Sequence, residues 1–319
     1  MVLKIIKKLC YFCKNKIYFV FNSIKTKQNK LLEYIDEPII DLINMKRVFN
    51  YLKDNYFEED NNPNLYIKPV KNIQNKVIWI CWMQGYDNSP DIVKACFKSA
   101  KEHSSGFDVI LITEENMNDY VHIPEHIIKK YNDGQITKTH FSDILRVLLL
   151  INYGGIWLDS TVFLSGNIPK FIIDSDLFMF KTSNVDRNAF LPASSWFIAA
   201  KKENPILIKV YNILLNYWKN EKDMMHYYLL HITLALVINY DHDANKLWNK
   251  LFYKNNSDPH VLQFKLFDEY TDSMREYIWQ ISFAHKLSHY FNYLENYEYL
   301  QKKEGTFYQY ILSTLKEEN

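Results

Sequence analysis

Four polar side chains stand out in the apolar stretch THFSDILRVLLLINYGGIWLDSTVFLSGNIP, residues 139–169: Asp143, Arg146, Asp159 and Thr161. Asp143 and Arg146 are three apart, the spacing that puts both on one face of a helix. Asp159 and Thr161 are two apart, the spacing that puts both on one face of a strand. Two carboxylates, a guanidinium and a hydroxyl brought together can grip the hydroxyls of a polar ligand or hold a hard cation. Each piece also has a plain reading: a helical ion pair worth about 0.2–0.5 kcal/mol, and a strand-end aspartate that binds a loop. Together they make a polar cluster on an apolar frame, which is how binding sites are built.

The frame is a helix, a tight turn and a strand. Thr139 or Ser142 can cap the helix start. Ile144, Leu145, Leu148, Leu149 and Ile151 give the helix its buried surface. Gly154-Gly155 ends it, because glycine takes a left-handed cap without steric cost. Ile156 to Leu164 then reads as one strand from its β-branched and aromatic content. Upstream, KVIWICWMQG (76–85) reads as a buried strand. Ser89-Pro90 opens a helix to about His103, and FDVILIT (107–113) is a second buried strand. Strand, helix, strand at this spacing is a βαβ unit, so the sheet is expected to be parallel and a ligand to sit beyond the strands' carboxyl ends. Gln84-Gly85 and residues 113–116 lie at those ends. No GxGxxG or P-loop occurs, so no dinucleotide or Walker fingerprint is encoded.

Further along, 172–180 and 195–200 read as strands, and 205–219 and 224–239 as helices. His226 and His231 are five apart, off the spacing for two ligands on one helix face, and read as core or cleft-rim residues. Two literal acid-x-acid triplets, Asp174-Ser175-Asp176 and Asp241-His242-Asp243, fall in expected turns, where aspartate bonds nearby backbone. They read as decoys. SFAHKLSH, 282–289, groups two histidines, a lysine and two serines.

The string HFSDILRVLLLINYGGIWLDST resembles the capsular polysaccharide synthesis proteins, relatives of the DXD-containing family 32 glycosyltransferases and of the clostridial-toxin-type glucosyltransferases. The resemblance extends from about Lys76 to the segment near His289, where a His-Lys-Leu string recurs in the capsular family. It implies an α/β, GT-A-like (Rossmann-like) fold and a hexosyltransferase, of retaining type, that uses a nucleotide-sugar donor. By that resemblance Asp143 and Arg146 grip donor-sugar hydroxyls, and Asp159 faces the ribose and a Mn²⁺ or Mg²⁺ ion. Trp82, Gln84 and Gly85 meet the nucleotide base. Lys286 with His285 or His289 meets the diphosphate, and His289 is a further metal candidate. Ser142, Gly155, Ser160 and Thr161 complete the donor site. The chain departs from the DXD pattern at Thr161, which stands where the second aspartate binds metal; a hydroxyl is a poor ligand for a hard cation. Aspartate followed two later by threonine is usual in the capsular subgroup. Thr161→Asp is therefore expected to tighten Mn²⁺ binding.

The 319 residues, 48% of them hydrophobic, can bury a large core. With 38 basic and 37 acidic residues the net charge is +1, which gives no global field for nucleic acid. Cys10 and Cys13 form a lone CxxC, too few ligands for structural zinc, and the expected compartment is the reducing cytoplasm. Residues 2–24 mix large apolar residues with five lysines. They are interrupted too often to span a bilayer, lack a cleavage site, and suit a helix lying on anionic lipid. Residues 29–58 read as helical, and EEDNNPN (58–64) as a link. The expected domains are a helical, membrane-proximal extension at 1–70 and a transferase domain at 71–319, peripherally bound to the inner membrane face. Three functions stay open. One is a transferase extending a capsular or lipopolysaccharide-type glycan, free or lipid-linked. The second is a catalytically weak carbohydrate-binding or scaffold protein of the same fold, and the third a metal-dependent phosphoryl-transfer enzyme or nuclease.

Overall fold

The computed structural model describes residues 37–57, 69–73, 76–104, 106–182, 190–291, 294 and 296–316. The lysine-rich segment 2–24 and the link 58–64 lie outside the described residues. The chain divides into two units, Met1–Arg47 and Val48–Asn319. Helix α1, Glu37–Tyr56, carries the described part of the first unit; the second holds the sheet.

The βαβ unit is present. Strand β1 is Val77–Cys81, helix α2 Asp91–Glu102 and strand β2 Asp108–Ile112, with β1 and β2 parallel in the register Cys81↔Ile112. Both strands are shorter than the sequence suggests, because Trp82 N–H bonds Ile112 O and the chain turns at once to Gly85. β2 is an edge strand with its middle only half-buried. Ser89 does not cap α2: its hydroxyl bonds Tyr86 O, and Pro90 occupies the cap position.

After helix α3, Glu125–Asn132, comes helix α4, Lys138–Tyr153. Its cap is Thr137, whose side chain accepts from His140 N, rather than Thr139 or Ser142. Twelve of its sixteen residues are buried, as expected for a helix that is apolar nearly all round and lies against β1 and the strands at Gly155–Asp159 and Ala193–Ala200. Gly154 and Gly155 end it at φ +69° and +93°. A Cβ on Gly155 would overlap the Val77 carbonyl oxygen, so glycine is required for close approach as well as for the turn.

The expected long strand breaks in two. β3 is Gly155–Asp159, and Ser160-Thr161 turn the chain into β4, Val162–Leu164. β3 joins the main sheet parallel to β1, with Cys81 beside Asp159. β4 leaves it and pairs antiparallel with β7, Ala284–Lys286.

The run at 172–180 begins as helix α5, Lys170–Ile173, before β5, Leu177–Lys181. β6, Ala193–Ala200, lies antiparallel between β3 and β5, so the order is β2-β1-β3-β6-β5. The α/β, Rossmann-like layout with a helical N-terminal region holds; the sheet is mixed rather than wholly parallel. Helices α6, Pro205–Asn220, α7, Leu229–Tyr240, and α8, His242–Lys250, follow. Asn204 caps α6 by accepting from Ile206 N and Leu207 N.

Alternation along β1 and β3 sorts the core. Ile78, Ile80, Ile156 and Leu158 pack with Phe178, Phe197 and Ala284 on one face. Trp79 and Trp157 occupy the alternate positions. A second core joins α2 to the C-terminal third through Ile92, Cys96, Phe163, Leu287 and Phe307. Its helices are α9, Val261–Lys265, α10, Asp272–Ile281, α11, Tyr297–Lys302, and α12, Phe307–Ser313.

Candidate active site

The carboxyl ends of β1 and β3 lie side by side, and Asp159 is the last residue of β3. α4 brings Asp143 and Arg146 beneath it, and β6 brings Ser195. Arg146 is 3% exposed and organises the cluster. Its Nη2 lies 3.1 Å from Asp143 Oδ1 and its Nη1 3.3 Å from Asp159 Oδ1. Nη1 also donates to Ser195 O at 2.6 Å and Ser195 Oγ at 2.9 Å. Nη2 and Nε donate to Ser142 Oγ and Ser142 O. The guanidinium stacks over Trp157, 4.9 Å from the ring centre, while Trp157 Nε1 donates to Asp159 Oδ1 at 3.0 Å. These contacts use up the arginine's donors internally. It therefore holds the two carboxylates in place, where the resemblance implied a grip on sugar hydroxyls. Ser142 supports Arg146 rather than a ligand.

Asp143 is buried. Burial alone would raise its pKa. The Arg146 guanidinium, and then His140, outweigh that and hold it below the usual carboxylate value. His140 was not singled out in the sequence, and its role is visible only in three dimensions. Its Nε2 accepts from Trp218 Nε1 at 2.8 Å, and its Nδ1 stands 3.4 Å from Asp143 Oδ2. Indole is only a donor, so the Nε2 of His140 is unprotonated and its ring proton sits on Nδ1, towards Asp143. A buried line thus runs Trp218, His140, Asp143, Arg146, Asp159, and only the last side chain, 26% exposed, reaches the surface.

The turn at Ser160-Thr161 places a second set of groups over Asp159. Thr161 is 4% exposed, and its hydroxyl accepts from Lys286 Nζ at 2.6 Å. That ammonium lies 3.7 Å from Asp159 Oδ2 and also donates to Leu287 O. Asp159 and Thr161 do converge, though not on one continuous strand; Lys286 joins them across the β4–β7 pair.

His285 does not. As the next residue along β7 it points into the core, fully buried against Trp279, with Nε2 2.9 Å from Ser165 Oγ. Burial pushes its pKa down to about 3, so it is neutral and cannot serve as a cationic partner for diphosphate. His289 stays at the rim, its ring 5.2 Å from Trp82. Burial, then Lys286, lowers its pKa. Trp82 is half-buried and its indole N–H has no hydrogen-bond partner among the described residues.

Gln84 and Gly85 line a cavity of about 420 Å³ with Thr113, Glu114 and Glu115, at the joint carboxyl end of β1 and β2. Gly155 is at the other end of β3 from Asp159, about 13 Å away at strand rise; it packs on Val77 and takes no part in the site. Ser160 is half-buried in the turn.

Two further groups neighbour the cluster, and only the first, Cys81, escaped the sequence. The Cys81 thiol beside Asp159 is pushed up to about 12 by burial, with smaller effects of Arg146 and Asp159, and stays neutral. Half-buried His231, on α7, has its pKa lowered to about 4 by burial, against the pull of Asp143; it is a cleft-rim histidine whose Nδ1 has no hydrogen bond among the described residues. The acid-x-acid triplets are elsewhere. Asp174 and Asp176 pair with Lys170 and Lys201. Asp241 caps α8 and pairs with Lys209.

Among the described residues no three His, Cys, Asp or Glu side chains gather where one ion can bind. Asp159 Oδ1 is taken by Trp157 and Arg146, and Oδ2 faces the Lys286 ammonium. The Lys286 ammonium, 3.7 Å from Asp159 Oδ2, would repel a dication held there and offset part of the carboxylate's attraction for it. These residues do not fit a tightly held divalent cation.

The family model described as capsular polysaccharide synthesis protein matches residues 23–311. No curated protein matches the chain. Among solved structures, the PaToxG glycosyltransferase is 18% identical with a TM-score of 0.35, over 77% of this chain and 95% of that one. The apo form of the glycosyltransferase GlyE from Streptococcus pneumoniae TIGR4 is 12% identical with a TM-score of 0.36, over 76% of this chain and 63% of that one.

Proposed function

The chain belongs to the capsular polysaccharide synthesis protein family, and from that premise we propose that it is a glycosyltransferase. It moves a sugar from a nucleotide-sugar donor to a growing cell-surface glycan, with retention of anomeric configuration as its family resemblance implies. The observation that carries this reading is Asp159. It is the one member of a buried charged line that reaches the surface, at the carboxyl edge of the sheet where α/β proteins bind ligands.

In transfer, the bond between the anomeric carbon and a diphosphate oxygen breaks and the electron pair stays on that oxygen. A new bond forms to an acceptor hydroxyl, whose proton passes to the leaving diphosphate. Asp159, with Arg146 and Trp157 on one of its oxygens, keeps acceptor capacity for donor hydroxyls. Fixed donors aimed at developing charge lower the barrier because they need no reorganisation. Glu114 and Glu115, beside Gln84 and Gly85, give the adjoining cavity acceptors for the N–H groups of a base.

A thermal-shift screen of nucleotide sugars, followed by mass detection of donor cleavage, tests the reading, since a ligand that binds only the folded chain raises its melting point. A stabilising donor that is cleaved or transferred is expected. Binding without turnover would instead support a carbohydrate-binding protein of this family, and no stabilising nucleotide sugar at all would sink the donor assignment. The apolar and lysine-rich composition of residues 2–24 further suits attachment to anionic lipid. Chain lacking residues 1–24 should no longer sediment with phosphatidylglycerol vesicles; undiminished sedimentation would contradict this. No helix among the described residues is long and apolar enough to cross a membrane.

A further inference from the structure

We propose that this site receives the departing diphosphate on the Lys286 ammonium and works without a divalent cation. The inference rests on the transferase reading above and adds to it the nature of the positive charge.

Three observations carry it. First, Thr161 is occupied. It is buried, and its hydroxyl accepts from Lys286 Nζ at 2.6 Å. The position where an acid-x-acid pattern would offer a second carboxylate is therefore a seat for an ammonium. Second, the lysine is held by backbone. Val162 pairs with Lys286 in the β4–β7 register, and Leu287 N–H donates to Thr161 O at 2.8 Å. Nζ spends a second donor on Leu287 O at 3.2 Å. An ammonium has three donors, so one remains for Asp159, 3.7 Å away, or for an incoming anion. Third, the other cation of the cluster is committed. Arg146 is buried among Asp143, Asp159, Ser142 and Ser195, and the imidazole of His285, the neighbour of Lys286 on β7, is turned into the core against Trp279 and Ser165. Among the described residues of the cluster, Lys286, partly exposed, is the cation left to meet a diphosphate. The charge that develops on the leaving oxygen is met by a preplaced ammonium, and the acceptor's proton completes the balance. Thr161→Asp then has the opposite sign from the one the sequence suggests. It puts a carboxylate on Lys286 and neutralises it.

Calorimetric titration of the full chain with UDP, GDP and inorganic pyrophosphate, each in EDTA and in Mn²⁺, tests this. At least one diphosphate should bind in EDTA, with Mn²⁺ changing its Kd by less than about threefold. Lys286→Met should weaken that binding by about tenfold or more, as for the loss of a charged hydrogen bond, and Lys286→Arg should restore part of it. Thr161→Val, nearly the same size, should weaken binding with little loss of fold, and Thr161→Asp should weaken it with and without Mn²⁺. Binding that appears only with Mn²⁺, a Lys286→Met protein that binds as wild type in EDTA, or tighter Mn²⁺-dependent binding by Thr161→Asp would overturn the inference and leave the transferase reading standing. Binding in EDTA without turnover of any nucleotide sugar would support the diphosphate site and overturn the transferase reading. No binding in either condition would overturn both.

Discussion

Replacing Arg146 with methionine removes the charge that balances two carboxylates while keeping most of the side-chain volume. Asp143 is 5% exposed and cannot recover its lost partner from water. Removing one partner of a buried pair costs about 3–5 kcal/mol, a large share of the 5–15 kcal/mol that holds an ordinary domain together. The pH dependence should change with it. In the wild type the Asp143 pKa is lowered, so its contribution is present above the unfolded carboxylate value and is lost as pH falls through the folded one. Without Arg146 the burial effect is opposed only by the weaker pull of the histidines, and the folded pKa rises above the unfolded value. The variant should then recover part of its deficit as pH falls from 7 to 5. Asp143→Asn on the Arg146→Met background should also restore stability, because it removes the unpaired charge. Urea unfolding of the wild type, both single variants and the double variant at pH 7 and pH 5 measures all of this. A loss below about 1 kcal/mol at pH 7, near the value of an exposed pair, would refute the reasoning, as would a double variant no more stable than Arg146→Met.

Gly155→Ala should cost more than about 2 kcal/mol, since φ is +93° and the added Cβ meets the Val77 carbonyl; a melting point within a degree of wild type would contradict the close approach. His285 is buried neutral with its pKa lowered to about 3, so the unfolded chain takes up a proton below about pH 6.5 that the folded chain refuses. That residue alone should cost about 2 kcal/mol between pH 7 and pH 5, and a His285→Gln variant that kept the whole acid slope would show the assignment to be wrong.

The frame was legible in the sequence because glycine, periodicity and β-branching act locally. The Gly154-Gly155 stop, the βαβ unit and the burial of α4 follow from adjacent residues. The break at Ser160-Thr161 was not legible. Ile156–Leu164 reads as one strand by composition, and only the pairing of Val162–Leu164 with Ala284–Lys286, more than a hundred residues on, pulls it out of the main sheet. The same pairing decides the fates of His285 and Lys286. Neighbours on a strand face opposite ways, so one is core and the other is at the site, and a cluster of polar letters cannot say which. His140 and Trp218 meet 78 residues apart, and neither carries a local signal. Ser195 holds Arg146 through its hydroxyl and its backbone carbonyl, and no sequence pattern marks either role.

Asp159→Asn tests the central claim most directly. The change is nearly isosteric at a side chain 26% exposed, so the melting point should move by only a few degrees. Turnover of the stabilising nucleotide sugar, per folded molecule, is predicted to fall by about a hundredfold or more, the scale seen when one positioned polar group is lost from a reacting centre. Turnover that stayed within about twofold of wild type, with the melting point markedly lowered, would show Asp159 to be a structural residue and would contradict the placement of sugar transfer at this edge of the sheet.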